Sequence, residues 1–149
     1  MDSSTIDLPN SEIESVKFED SRLTISFSRV IIIKTMSGSA ERTRWYQAGD
    51  LIFEEAELES SLPECPCICE GGDVGENVYT YRDMIPLPLE SQGRARCDLK
   101  IKDQEPLQAW AEGVRLAMKE RPRYIEHLRE SDYPRRDPPV TADLSTEAR

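Results

Sequence analysis

Alternation of apolar and polar residues is clearest at Ala95, Cys97, Leu99 and Ile101, which are separated by Arg96, Asp98 and Lys100. A period of two marks a strand with one face buried and the other in water. Upstream, Tyr79, Tyr81, Ile85, Leu87 and Leu89 share one phase, and Glu90-Ser91-Gln92-Gly93 supplies the polar and glycine residues of a hairpin loop. The pattern predicts a β-hairpin over residues 79–101. Its first arm carries Pro86 and Pro88, whose missing N–H groups fall on the same side, so that arm is expected at a sheet edge.

The same alternation runs through Val16 and Phe18, then, after a turn at Asp20-Ser21, through Leu23, Ile25 and Phe27, predicting two paired strands. Val30-Ile31-Ile32-Ile33 loses it, as expected where a strand bends or is covered on both faces. Trp45 and Gln47 begin another strand that turns at Ala48-Gly49-Asp50 and continues through Leu51 and Phe53. Ala56 and Leu58 stand in the opposite phase, which implies a bulge near Glu54-Glu55 or a short break.

Residues 107–118 fit two patterns. Leu107, Trp110, Ala111, Val114 and Met118 suit a helical face, whereas Leu107, Ala109 and Ala111, then Val114, Leu116 and Met118, alternate with a phase change at Gly113. In a chain otherwise reading as β, the strand is the expectation. Pro122 is expected to end it, and Tyr124, Ile125 and Leu128 to form one face of a short C-terminal helix. Residues 1–14 read as a flexible lead-in and 36–41 as a flexible loop. Residues 60–77, with two prolines and Gly71, Gly72 and Gly75, read as a long loop, and residues 131–149, rich in proline, as a disordered tail. What lies between, residues 15–130, makes a single β-rich domain: an antiparallel sandwich or partly open barrel of about six to eight strands.

Composition narrows the function. A net charge of -10 argues against sequence-independent nucleic-acid binding, which needs basic side chains against phosphates. No basic n-region with an apolar core opens the chain, and no apolar run approaches the roughly 20 residues that span a bilayer, so a cytoplasmic, membrane-free protein is expected. Four cysteines without an export signal are then reduced thiols or metal ligands rather than a disulfide framework. Charge is also unevenly spread. Between Arg44 and Arg82 there is no Lys or Arg, while Asp50, Glu54, Glu55, Glu57, Glu59, Glu64, Glu70, Asp73 and Glu76 fall inside that interval.

Two clusters carry candidate chemistry. Cys65, Cys67 and Cys69 place three thiols within five residues, a set of soft donors for zinc or cuprous ion, although zinc sites usually space their pairs by two to four residues and add a second pair. Only Cys97 and His127 are available to complete one, and incidental thiols are the simpler account. Trp45, Tyr81, Arg82 and Asp83 offer an aromatic and charged recognition patch, since Tyr and Trp give contact area at low entropy cost and Arg reads carboxylates bidentately. The bland alternative is core tyrosines with a local ion pair. A single histidine limits His-based catalysis, and no phosphate-cradling loop, nucleophile elbow or zincin helix occurs.

Lys34-Thr35-Met36, residues 45–51 with Gln47-Ala48-Gly49-Asp50, and above all Tyr81-Arg82-Asp83-Met84-Ile85-Pro86-Leu87-Pro88-Leu89 resemble an uncharacterised family of small bacterial proteins, over roughly residues 16–128. The resemblance implies a bacterial, single-domain, β-rich protein and assigns no activity. Together these readings point to a non-enzymatic binding or protein-interaction module for an unidentified protein or small-molecule ligand, with self-association as a homodimer through an edge strand as one form of it. The alternative is an enzyme or metal-binding protein built on the acidic, Cys-rich segment 60–77.

Overall fold

The computed structural model describes residues 3–35 and 41–128, and within them nine strands and no helix. The strands are β1 (Ser3–Glu19), β2 (Arg22–Thr35), β3 (Arg42–Phe53), β4 (Glu57–Leu58), β5 (Cys67–Glu76), β6 (Tyr79–Arg82), β7 (Met84–Leu87), β8 (Glu90–Ile101) and β9 (Leu107–Leu128). Every pairing is antiparallel. The order β5-β8-β9-β3-β2-β1 returns on itself through a β1–β5 contact, which makes a partial ring of six strands. That closing seam is short: Ser11, Glu12 and Ile13 opposite Cys69, Ile68 and Cys67.

The ring interior holds the residues that alternation selected. Leu23, Ile25, Leu51, Phe53, Cys97, Leu99, Leu107 and Ala109 are completely buried. Val30, Ile32 and Ile33 are all nearly inaccessible, so this run is covered on both faces, and the β2–β3 register slips between Phe27 and Val30 as the strand bends. At Glu54-Glu55 the chain breaks rather than bulges. Glu55 takes a left-handed φ of 47°, and β4 re-forms against β9 through Glu57–Trp110 and Leu58–Ala109 pairs.

Four expectations are corrected. The proposed hairpin over 79–101 does not exist, because its two arms never pair. β8 lies between β5 and β9, β6 pairs with β5, and β7 pairs with β1. The expected phase is buried along β8 and at Ile85 and Leu89, whereas Tyr79 is exposed, and the partner of each arm comes from elsewhere in the chain; β7 with Pro86 is nonetheless terminal in the strand order. Second, no short helix follows residue 118: β9 continues through Pro122 to Leu128. Two extra residues on β9 between the Ala48–Lys119 and Tyr46–Arg123 pairs form a bulge, and Gln47 Nε2 donates to the Lys119 and Glu120 carbonyls at 3.2 and 2.9 Å. A bulge is one of the few places a strand tolerates proline. Third, the segment read as a loop over 60–77 contains the ten-residue β5, whose Gly71 and Gly72 take φ of 128° and 137°. The residues read as a lead-in form most of β1 instead, where Asn10, at φ 70°, switches the buried phase from Ile6 and Leu8 to Ser11 and Ile13. The 107–118 segment is a strand, as favoured. The loop expected at 36–41 falls almost wholly, and the 131–149 tail entirely, outside the described residues.

Candidate functional site

Past the seam β1 and β5 diverge, and β6–β7 fills the gap as one strand that changes partner at Asp83. Asp83 sits at a left-handed φ of 63°. Its amide donates to the Gly72 carbonyl, its carbonyl accepts from Leu8, both at 2.7 Å, and its Oδ1 accepts from the Gly72 amide at 2.9 Å. One aspartate thereby ties three chain segments together. Gly71 is required beside it, because a Cβ there would land on Asp83 Oδ1.

Arg82, next in line, forks onto the Asp73 carboxylate at 3.0 and 3.2 Å. That hydrogen bond holds Asp73 below the usual aspartate range. Tyr81 donates its hydroxyl to Glu76 at 2.7 Å, which together with burial pushes the phenol up to about 12, and its ring stacks on Tyr79 at 6.4 Å. Asp73, Arg82 and Asp83, with Gly72, Asp98 and Lys100, line an open polar cleft of about 390 Å³. These groups are poorly suited to proton transfer near neutrality, because an aspartate held low is a weak base and a phenol held high a weak acid. Trp45 belongs to a different set of contacts. Its indole donates to Thr43 at 2.8 Å, Lys34 lies 4.3 Å over its ring, and Tyr124 meets it edge-on at 5.3 Å. The sequence-selected patch therefore divides into Tyr81-Arg82-Asp83 on β6–β7 and Trp45 on β3.

The thiols also divide. Cys65 and Cys67 are partly exposed with their sulfurs 3.8 Å apart, whereas Cys69 and Cys97 are completely buried. Burial first, then the contact with Cys65, pushes the Cys67 thiol up to about 12; burial raises Cys69 to about 11 and raises Cys97 as well. His127 contacts Glu41 at 2.6 Å. Among the described residues no group of three or more His, Cys, Asp or Glu side chains is placed to hold a metal ion.

Several features escaped the sequence reading. Trp110 on β9 is partly exposed, with the Arg94 and Arg96 guanidinium groups each 4.7 Å from its ring, and Arg96 also pairs with Glu59. Arg94-Ala95-Arg96 is visible as a pair of outward positions, but the strand that brings Trp110 against it is 14 residues further on. The acidic interval is partly neutralised by the same means. Glu54 pairs with Arg22 and Arg115, Asp73 with Arg82, Glu59 with Arg96 and Asp50 with Lys119. Finally, beyond Leu116, whose amide donates to the Leu89 carbonyl, β9 pairs with β3 alone. Its other edge, from Ala117 to Leu128, meets no strand among the described residues.

The described residues thus form an antiparallel β domain with a partial six-stranded ring and, among them, a long strand edge on β9 without a partner strand. It matches no protein-family model, no curated protein and no solved structure. No helix among the described residues is long and apolar enough to cross a membrane.

Proposed function

We propose that this chain is a non-enzymatic protein-interaction module of a bacterial cytoplasm that takes up an extended, acidic segment of a partner protein along the unpaired half of β9. The observation that carries the reading is that edge: a run of strand backbone that, among the described residues, has a partner strand on one side only. Such an edge recruits an extended peptide through main-chain hydrogen bonds, with alternate side chains supplying selectivity. Arg121 and Arg123 are exposed along it beside Lys119, which pairs with Asp50, and one of its two glutamates, Glu126, is taken by Arg44. In a chain of net charge -10 this is a basic stretch, which favours an acidic segment and disfavours association with the rest of the chain's own surface. The bulge at residues 120–122, Pro122 and these charges are the devices that protect a strand edge from indiscriminate pairing. Four free cysteines and the bacterial resemblance support the cytoplasmic setting.

A photo-crosslinking residue placed at Tyr124, which is 53% exposed, compared with one at Tyr79 on the far edge, tests the reading in cells. Crosslinks to a partner are expected from position 124 and not from 79, weakened at least about tenfold by Arg121→Glu with Arg123→Glu. Crosslinks confined to position 79 would sink the proposal, and crosslinks from 124 only to a second copy of the chain would replace it by self-association.

A further inference from the structure

We propose that Cys65 and Cys67 form a redox-active dithiol that closes to a disulfide by exchange with a low-molecular-weight disulfide. This site is independent of the β9 edge. The two sulfurs already touch at 3.8 Å, and a disulfide brings them to about 2.05 Å. Both thiols are partly exposed, whereas Cys69 and Cys97 have no solvent access, so the pair is singled out from the four by access as well as distance. Thiol reactivity follows access and the fraction of thiolate.

The roles of the two are unequal. Cys67 is fixed in β5, opposite Ile13 at the seam, and its thiol stays protonated near neutrality for the reasons given above. Cys65 precedes the strand and is the attacking thiol. Its thiolate attacks one sulfur of the small disulfide, forming a mixed disulfide and releasing one thiolate, which takes up the proton Cys65 gave to solvent. Cys67 then loses its proton and attacks the Cys65 sulfur, breaking the mixed disulfide and releasing the second small thiol. Overall the protein gives up two electrons and two protons, and the small disulfide is reduced to two thiols. The high thiol pKa of Cys67 makes the second step the slow one, so a mixed disulfide on Cys65 accumulates first. The finished bond ties the segment leading into β5 to the seam that closes the ring.

The test is to incubate the full chain with oxidised glutathione and follow intact mass and alkylation of each cysteine. The expected sequence is one glutathione adduct on Cys65, then loss of that adduct with a net loss of two hydrogens. Cys65 and Cys67 then resist alkylation, Cys69 and Cys97 take label after denaturation, and a dithiol reductant restores all four thiols. Cys67→Ser is expected to stop at the adduct on Cys65, and Cys65→Ser to slow modification of position 67 at least about tenfold. Four free thiols after prolonged exposure, stable adducts on both residues, or a bridge that includes Cys69 or Cys97 would each overturn the proposal. Because the wild-type mass course decides these outcomes alone, a variant that misfolds does not rescue it.

Discussion

Single residues matter most where the backbone is forced. Gly72 combines a φ of 137° with a neighbouring strand so close that a Cβ would land on the Asp98 carbonyl oxygen and 2.8 Å from Leu99 Cα. Gly72→Ala is therefore expected to cost about 3 kcal/mol, read as a shift of the urea midpoint; an unchanged midpoint would mean that β5 and β8 separate there at little cost. None of this constraint was legible in advance. Gly71-Gly72 looked like the flexibility of a loop, because glycine marks both loops and close backbone approach and the sequence does not say which. Asp83 was visible as part of a charged patch. That it holds a left-handed turn between Leu8 and Gly72 depends on two segments that both precede it in the chain, one of them near the N-terminal end of β1.

At the scale of elements, periodicity reported each strand's buried face and said little about its neighbour. Ala95, Cys97, Leu99 and Ile101 are buried as their spacing required, yet β8 pairs with strands on either side of it in space and not with the arm that precedes it. Short sequence separation is only a tendency in antiparallel sheets, and here the break at Asp83 redirects β6–β7 to fill the gap beside the seam. The same limitation hid the continuation of β9. Pro122 is a good reason to end a strand unless a bulge removes the need for its N–H, and the bulge is held by Gln47, 75 residues earlier. Gln47→Ala is expected to cost about 1 kcal/mol and to speed hydrogen exchange of the β3 and β9 amides beyond the bulge, leaving those nearer Phe53 unaffected. Uniform acceleration along β3 would mean that the side chain does not hold the bulge. Of the candidate site residues, Tyr81, Arg82 and Asp83 stay together because they are consecutive, whereas Trp45 and the Trp110 cluster are assembled by pairings that no local pattern encodes.

For the whole molecule, the acidic interval of the sequence becomes a set of cross-strand ion pairs. Glu54 is held below the ordinary glutamate range by its hydrogen bond to Arg22, aided by Arg115, and Asp73 below the aspartate range by Arg82. A depressed folded-state pKa contributes stability that is complete above the unfolded value and is lost as pH falls through the folded one. Stability is therefore expected to decline on acidification below the ordinary carboxylate range, and Arg22→Gln combined with Arg82→Gln to flatten that decline. Equal acid slopes in the variant and the parent would contradict the assignment. These pairs are solvent-screened, so the effect at neutral pH is small and salt-dependent. The arrangement of β9 carries a consequence for how the protein comes into being. It is the last described strand to leave the ribosome, and it alone joins β3 to β8, with Arg42 waiting for Leu128 and Leu99 for Leu107. Until it emerges, β3-β2-β1-β5-β8 is an open sheet, joined in its middle only through the short β1–β5 seam and β6–β7, a late-closing topology of the kind that folds slowly. A chain stopped after residue 106 is expected to stay open and to bind a hydrophobic dye, and a native-like spectrum from that fragment would show that the ring does not depend on β9.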